Sequence, residues 1–183
     1  MKRIENEACA GVPEYLSQAY DWAYVHPSGI RRFERQWLVS LILMGQYHRL
    51  VQAVCRRLRA LQPNRVLQLG CAYGHFSSSV LQALGRMSRL TVVDVVPDQL
   101  ANLKAKIPAD RRLHLCWSDV RFMEPLPNAQ DVTLSFFLLH EMPESVIRAT
   151  LAQAARQTRV GGRLILVDYH RPVWYNPFRY ALQ

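Results

Sequence analysis

The hydrophobic pattern of the chain changes its period at Pro63. Before this point, Glu14–Val25 and Phe33–Leu61 carry apolar residues at helical spacing, separated by a turn-forming HPSG sequence. After it, short runs of β-branched and apolar residues alternate with helical stretches. The pattern therefore predicts an N-terminal helical cap over residues 1–62 and a second domain over residues 63–183.

The second domain has the pattern of an α/β fold. The predicted strands are Arg65–Gly70, Leu90–Val95, Leu113–Cys116, Asp131–Leu138 and Arg163–Asp168, and the predicted helices are Phe76–Leu84, Pro97–Ala105 and Glu144–Gln157. Strands that alternate with helices at this spacing indicate βαβ units, whose parallel strands are buried on both faces. Because such crossovers are right-handed, we predict a doubly wound, mostly parallel sheet with an N-terminal helical region.

Composition narrows the class of protein. A chain of 183 residues, half of them apolar, is long enough to bury a core without disulfides. Its longest apolar run, Trp37–Gly45, falls far short of the roughly 20 residues that span a bilayer, and its N-terminus lacks the apolar core of a signal peptide. The four cysteines have no CxxC spacing, which favours reduced thiols over a zinc site or a disulfide framework. We therefore expect a cytoplasmic protein.

The charge indicates an anionic partner. The net charge of +9 is spread along the chain, with +4 over residues 1–64 (nine bases, five acids) and +5 over residues 65–183 (fourteen bases, nine acids). Nucleic acid, an acidic membrane surface and an anionic cofactor all fit such an excess, as does an ordinary arginine-rich surface. The N-terminal region interleaves aromatic and arginine side chains: Tyr15, Tyr20, Trp22, Tyr24, Arg31, Arg32, Phe33, Arg35, Trp37, Tyr47 and Arg49. These residues fit a helical cap on the sheet or peripheral contact with the inner face of the cytoplasmic membrane better than nucleic-acid binding.

Three features on successive strands point to a cofactor that contains a nucleoside. The first strand runs into a glycine turn, Gly70-Cys71-Ala72-Tyr73-Gly74, where backbone amides can approach a ligand at the start of a helix. Asp94 ends the second strand, where a carboxylate can accept both hydroxyls of a ribose. Asp119 follows the third strand, where it can accept from an adenine amino group. Each feature alone is weak, but their order along the chain is informative.

A second constellation follows the fourth and fifth strands. His140 and Glu141 come after one, and Asp168 and His170 come after the other. Because adjacent parallel strands lie about 4.8 Å apart, these side chains can converge on one crevice. Two imidazoles and two carboxylates suit a divalent metal of the manganese, iron or zinc type, and they also suit general acid–base work. Alternatively, Glu141 is a favourable acid at the start of the next helix and His140 packs on the sheet.

The glycine turn resembles that of the class I S-adenosylmethionine methyltransferases. Their first strand ends in an acid followed by alternating glycines, and the matching segment here is VLQLGCAYG. Gln68 stands in place of the acid, Ala72 in place of the middle glycine, and Tyr73 is bulky for its position. The resemblance implies that Asp94 holds the ribose and Asp119 the adenine of S-adenosylmethionine, with Gln68 and the Gly70–Gly74 turn around the rest of the cofactor. It also implies seven strands, whereas the pattern here predicts five.

A narrower resemblance covers most of the chain. The segments YLSQAYDWAYVHPSGIRRFERQWLVSLILMGQYHRL, LLHEMP and VDYHRPVWYNPFRY, joined to the altered glycine motif, are similar to the rhodoquinone biosynthesis methyltransferase-like family. That family implies conversion of ubiquinone to rhodoquinone, in which an amino group replaces a ring methoxy group. It further implies S-adenosylmethionine as the amino donor and a divalent metal, manganese, at His140, Glu141, Asp168 and His170. The open sheet edge would be covered by Trp174–Leu182 or by a second subunit.

Gln68 links this resemblance to a mechanism. A carboxylate beside the ammonium group of the cofactor keeps that amine protonated, whereas a neutral Gln68 leaves it easier to deprotonate. We therefore expect amino transfer to a quinone, with a metal or one of the four candidate side chains acting on the acceptor. Two alternatives remain open: a conventional methyltransferase for a small aromatic or lipid substrate, and a non-catalytic methyltransferase-like binding protein.

Overall fold

The computed structural model describes residues 45–108, 110–126 and 128–169, together with the backbone but not the side chain of Glu141. The predicted helix Glu14–Val25 and the first part of the predicted helix Phe33–Leu61 lie outside these residues. His170 and the segment Trp174–Leu182 also lie outside them.

The described residues form one sheet of five parallel strands with helices on both faces. In chain order the elements are α1 (Tyr47–Leu61), β1 (Arg65–Leu69), α2 (Phe76–Ala83), β2 (Arg89–Asp94), α3 (Pro97–Lys106), β3 (Leu113–Trp117), β4 (Gln130–Phe136), α4 (Glu144–Gln157) and β5 (Thr158–Val167), with short 3-10 helices at Val120–Phe122 and Leu139–Glu141. The strand order is β3-β2-β1-β4-β5, and all four pairings are parallel. The predicted doubly wound fold is confirmed. The order reverses between β1 and β4, and ligands of such sheets bind beside this point, at the carboxyl ends of the strands.

Burial explains why β1, β2 and β4 are almost continuously apolar. Val66 packs in a core on one face of the sheet together with α1 and α2, whereas Leu67 packs in a smaller core on the other face with Ala154 of α4. A strand covered on both faces cannot place polar residues on either side without cost. Helix α1 contributes Tyr47, which is fully buried, to the first core. Tyr47 is therefore a core residue and not a membrane contact.

Two strand boundaries differ from the prediction. Strand β4 ends at Phe136, two residues early, because Phe137 adopts a positive φ of 52° and leaves the extended conformation. Strand β5 begins at Thr158, which pairs with Gln130 before an irregular segment that includes Gly161 at φ 76°. Regular pairing resumes at Arg163, where the sequence predicts the strand to begin.

Strand β5 leaves apolar side chains exposed. Leu164 and Leu166 are exposed by 42% and 45%, and Val160 is fully exposed. Within the described residues β4 is the one strand that pairs with β5, so the prediction that this edge needs a cover stays a prediction. In the part of the chain that the structure describes, no helix has the length and apolar character to cross a membrane.

Candidate functional site

The predicted site residues that the structure describes lie at one edge of the sheet. The Gly70–Gly74 turn follows β1, Asp94 ends β2, and Asp119 follows β3. His140 follows β4 and Asp168 follows β5. These are the carboxyl ends of parallel strands, so the two constellations predicted from sequence flank the point at which the strand order reverses.

The first and last residues of the turn, Gly70 and Gly74, are glycines because of their backbone conformation and because other side chains pack closely against them. Gly70 and Gly74 have φ values of 75° and 72°. A Cβ atom at Gly70 would lie 3.0 Å from Leu138, and one at Gly74 would lie 2.7 Å from the hydroxyl oxygen of Tyr47. Among the described non-glycine residues only Gln62 and Phe137 have positive φ. Ala72 therefore has a backbone conformation that alanine adopts without strain, which explains why the middle glycine is dispensable here.

Side chains from α1 and α3 hold the turn in place. The Tyr47 hydroxyl donates to the carbonyl oxygen of Tyr73 at 2.9 Å. The hydroxyl of Tyr73 in turn accepts from Nε2 of Gln99 at 2.9 Å, and Lys106 donates to the carbonyl oxygen of Gly74 at 3.1 Å. The bulky Tyr73 is thus tied to α3. The roles of Tyr47 and Gln99 are not evident from the sequence, because a helical pattern does not show which polar group contacts a turn 26 residues away.

Asp94 joins the glycine turn to the end of β2. Its carboxylate oxygens accept from the backbone amides of Cys71, at 2.6 Å, and Val96, at 2.8 Å. Burial raises the pKa of Asp94 above its ordinary value, although these amides act in the opposite direction. No arginine or lysine among the described residues forms an ion pair with it. Asp94 therefore keeps acceptor capacity for hydroxyl donors, and its contact with a ribose stays a prediction.

The carboxylate of Asp119 interacts with Arg121, two residues further along the chain. It accepts from the backbone amide of Arg121 at 2.9 Å and caps the short helix Val120–Phe122. The guanidinium group of Arg121 also pairs with it, with Nη2 2.6 Å from Oδ2. Asp119 therefore lies at the predicted edge of the sheet, while its contact with an adenine stays a prediction.

Gln68 stabilises the glycine turn by donating hydrogen bonds. It is fully buried, and its Nε2 atom donates to the carbonyl oxygen of Gly70 and to Oγ of Ser77, both at 2.9 Å. Because the carbonyl of Gly70 can only accept, a carboxylate at this position would lose that bond. The Oε1 atom is buried and has no hydrogen-bond partner among the described residues. An unpaired buried acceptor costs about 1–3 kcal/mol, so this atom is a candidate contact for a ligand donor.

His140 and Asp168 form a hydrogen-bonded pair. Nδ1 of His140 lies 2.8 Å from Oδ1 of Asp168, and the backbone amides of Leu139 and Tyr169 donate to the same carboxylate at 2.7 and 2.8 Å. Burial tends to raise the pKa of Asp168, but these hydrogen bonds and the charge of His140 outweigh it and lower the pKa. An ionised carboxylate only accepts, so Nδ1 carries a hydrogen and Nε2 is the basic nitrogen.

This geometry changes the role of Asp168 in the predicted metal site. A carboxylate that accepts from the Nδ1–H of a histidine orients that histidine, and the metal binds the opposite ring nitrogen. Asp168 therefore fits a positioning role better than that of a direct ligand. Across the described residues no group of three or more histidine, cysteine, aspartate or glutamate side chains is arranged to hold a metal. The side chain of Glu141 and all of His170 lie outside those residues, so manganese binding stays a prediction.

A family model described as a methyltransferase domain matches residues 66–162, more than half of the chain. The chain belongs to this methyltransferase-domain family. The matched region runs from β1 into β5 and contains Gln68, Asp94, Asp119 and His140. A comparison with curated protein sequences found no matching relative.

Solved methyltransferase structures share the fold of this methyltransferase domain. Magnesium protoporphyrin IX methyltransferase from Synechocystis PCC 6803, with bound S-adenosylmethionine, is 17% identical with a TM-score of 0.66, over 86% of this chain and 76% of that one. The N-methyltransferase NodS from Bradyrhizobium japonicum WM9, with S-adenosyl-L-homocysteine, is 17% identical with a TM-score of 0.59, over 80% and 72%. Mitomycin 7-O-methyltransferase is 19% identical with a TM-score of 0.63, over 89% and 47%. At these identities the likeness concerns the fold alone, and rhodoquinone chemistry stays a prediction.

Proposed function

We propose that this methyltransferase domain binds S-adenosylmethionine at the crevice between β1 and β4 and uses it to modify a small aromatic acceptor. The observation that carries the proposal is the position of the His140–Asp168 pair, which lies at the same edge of the sheet as the glycine turn and Asp94. When bound, the cofactor supplies an activated methyl group. Family membership supports methyl transfer as the reaction.

The residues of the cofactor half fit the proposed ligand. Asp94, held by the amides of Cys71 and Val96, can accept from ribose hydroxyls. Asp119 follows the next strand, β3, and is the proposed acceptor for the adenine amino group. The buried, unpaired Oε1 of Gln68 is the proposed acceptor for the ammonium group of the cofactor, which would have to displace the atoms that now cover it.

His140 has the role of general base in this proposal. Asp168 orients the imidazole and stabilises its protonated form, so that Nε2 can accept a proton from a hydroxyl group of the acceptor. A general base of this kind contributes roughly 10²–10⁴-fold to a rate. The side chain of His140 is 22% exposed, which is consistent with access from the crevice.

Gln68 favours a second candidate, amino transfer to a quinone in rhodoquinone biosynthesis. A neutral, fully buried carboxamide stands where the class I fold normally has an acid, so no carboxylate at this position stabilises the protonated amine of the cofactor. The segments LLHEMP and VDYHRP add the family resemblance, with ubiquinone as acceptor and manganese at the His140 side of the site. In the amino-transfer reaction, Nε2 of His140 would bind the metal or contact the acceptor.

One incubation separates the two candidates. The full chain is mixed with S-adenosylmethionine and a short-chain ubiquinone or its quinol, with and without Mn²⁺, and the products are analysed by mass spectrometry. A methylated quinol supports methyl transfer, and replacement of a methoxy by an amino group supports the second candidate. His140→Gln should abolish either product, whereas His114→Gln, on the far strand β3, should not. Failure of the cofactor to bind in calorimetry would refute both.

A further inference from the structure

Phe137 adopts a backbone conformation that phenylalanine normally avoids. Its φ is 52°, in the left-handed region, where a bulky side chain crowds its own carbonyl group. The other described non-glycine residue with positive φ, Gln62, ends helix α1, where such a conformation is common. Phe137 instead follows β4 directly, two residues before the short helix Leu139–Glu141 that carries His140. Strain of this kind persists where the side chain has a use that a glycine cannot serve.

The strained turn places two consecutive rings on the same side of the chain. In an extended strand neighbouring side chains point to opposite faces. Here the ring of Phe136 is buried and stacked on Phe76 at 4.0 Å, and the ring of Phe137 lies edge-on to Phe136 at 5.0 Å. Phe136 already fills the core at this position. The ring of Phe137 remains partly exposed at the carboxyl edge of the sheet.

Phe137 and Tyr169 border the His140–Asp168 pair. The two rings are 5.0 Å apart, and both contact the imidazole of His140, Tyr169 at 4.8 Å and Phe137 at 6.3 Å between centroids. The amide of Phe137 still donates to Val167 at 2.8 Å, which keeps the turn fixed against β5. Two partly exposed aromatic rings therefore adjoin the imidazole that the proposed function uses.

We infer that Phe137 and Tyr169 form the binding surface for a planar aromatic acceptor, and that they hold its hydroxyl group at His140. The inference rests on the proposed function and names the residues that recognise its acceptor. Aromatic rings associate through offset or edge-to-face contacts that aliphatic rings do not reproduce. The strained backbone at Phe137 supports this assignment, because a glycine would adopt this conformation with less strain but would present no ring beside His140.

The test measures acceptor binding apart from cofactor binding. The probe is dimethoxy-methyl-hydroquinone, the tail-less head group of ubiquinol, kept reduced so that it does not react with cysteine thiols. Calorimetry on the full chain, saturated with S-adenosyl-L-homocysteine, compares wild type with Phe137→Leu and Phe137→Gly. The matched control is Phe122→Leu, an exposed phenylalanine on the neighbouring short helix. Cyclohexanedione is the aliphatic control ligand.

We expect the dissociation constant of the hydroquinone to rise roughly 3- to 10-fold in both Phe137 variants, since one aromatic contact is worth about that much. In both variants the affinity for S-adenosyl-L-homocysteine and the melting temperature should stay near wild type. Phe122→Leu should leave the dissociation constants of both ligands unchanged. Unchanged hydroquinone binding in folded Phe137 variants would overturn the inference. Equal binding of cyclohexanedione would overturn it too. A wild-type chain that binds the homocysteine derivative but no hydroquinone would overturn the inference alone, whereas loss of both refutes the proposed function.

Discussion

At each end of the sheet an aspartate accepts hydrogen bonds from two backbone amides, but the charges around the two aspartates differ. At the amino end, Asp131 accepts from the backbone amides of Asn64 and Arg65 at 2.8 and 2.9 Å. At the carboxyl end, Asp94 accepts from the amides of Cys71 and Val96. Arg159 pairs with Asp131 at 2.6 Å, and no described arginine or lysine pairs with Asp94. The pKa shifts are opposite: burial raises both, but hydrogen bonds and Arg159 leave that of Asp131 lowered, whereas that of Asp94 stays raised.

This difference indicates that the amino end of the sheet serves stability and the carboxyl end serves function. The amino end compensates its buried charge within the chain, and a cavity of about 160 Å³ there is lined by the mutually paired Asp131 and Arg159. The carboxyl end has a carboxyl group at Asp94 with no described cationic partner, an unpaired acceptor at Gln68 and a strained backbone at Phe137. Features of this kind are costly for folding and useful for binding. The comparison therefore predicts that substitutions at the carboxyl end impair activity and those at the amino end impair stability.

The largest expected effect is that of His140→Gln on turnover. Loss of the base should lower kcat by roughly 10²–10⁴-fold, while the dissociation constant of S-adenosylmethionine changes little, because the glycine turn and Asp94 are untouched. Steady-state kinetics and calorimetry measure the two quantities. His114→Gln is the control. Full activity in His140→Gln would place the base elsewhere.

Asp94→Ala should weaken cofactor binding. Hydrogen bonds to a charged group are worth roughly 1.5–3 kcal/mol, so the dissociation constant of S-adenosylmethionine should rise on the order of 10- to 100-fold. Because Asp94 also ties Cys71 to Val96, the unfolding curve must show that the variant is folded. An unchanged dissociation constant in a folded variant would remove Asp94 from the cofactor site.

Asp131→Ala tests the amino end. The variant loses two amide bonds and the pair with Arg159, and the free energy of unfolding should fall by about 2 kcal/mol. Urea denaturation measures this change. At a temperature where the variant is folded, kcat should remain within about 3-fold of wild type, since Asp131 lies at the opposite end of the strands. A selective loss of activity would contradict the division between the two ends.

Gln68→Glu distinguishes the two proposed reactions. The substitution removes the donor to Gly70 and Ser77 and adds a negative charge that stabilises a protonated amine on the cofactor. Amino transfer should fall about 10-fold for each unit by which the amine pKa rises, and should recover partly at higher pH. Methyl transfer needs no free amine and should show no such recovery. Ser77→Ala, which loses one of the same hydrogen bonds without adding charge, is the matched control.

The sequence predicts β1, β2 and β4 well because these strands are buried on both faces and are therefore almost continuously apolar. It also predicts which edge of the sheet carries Asp94, Asp119, His140 and Asp168, since the carboxyl ends of parallel strands meet there. It does not predict the hydrogen bond that makes Asp168 a partner of His140, because two side chains near one crevice can bind a common ligand or each other.

The positive φ of Phe137 is also absent from any sequence pattern. The run Ser135-Phe136-Phe137-Leu138 is apolar and aromatic throughout, and it favours a strand that continues to Leu138. The turn, which places two consecutive rings on the same side, is held by tertiary contacts with Phe76 and Val167 that no local pattern encodes. The role of Tyr47 depends in the same way on its contact with the distant glycine turn.

The smallest expected effect is a difference in the pH dependence of stability. The folded pKa of Asp131 lies below its ordinary value of 3.8, so its contribution is complete above that pH and is lost as the pH falls through the lower, folded value. The folded pKa of Asp94 lies above 3.8, so the folded state binds the extra proton and stability decreases as the pH rises from 3.8 towards the folded value. Asp131→Asn should therefore reduce the loss of stability that occurs below pH 3.8. Asp94→Asn should remove the loss of stability that occurs as the pH rises above 3.8. Each pKa unit corresponds to about 1.4 kcal/mol, which urea titrations at a series of pH values can detect. Curves that shift in the same direction for both variants would show that the two ends of the sheet do not differ in this way.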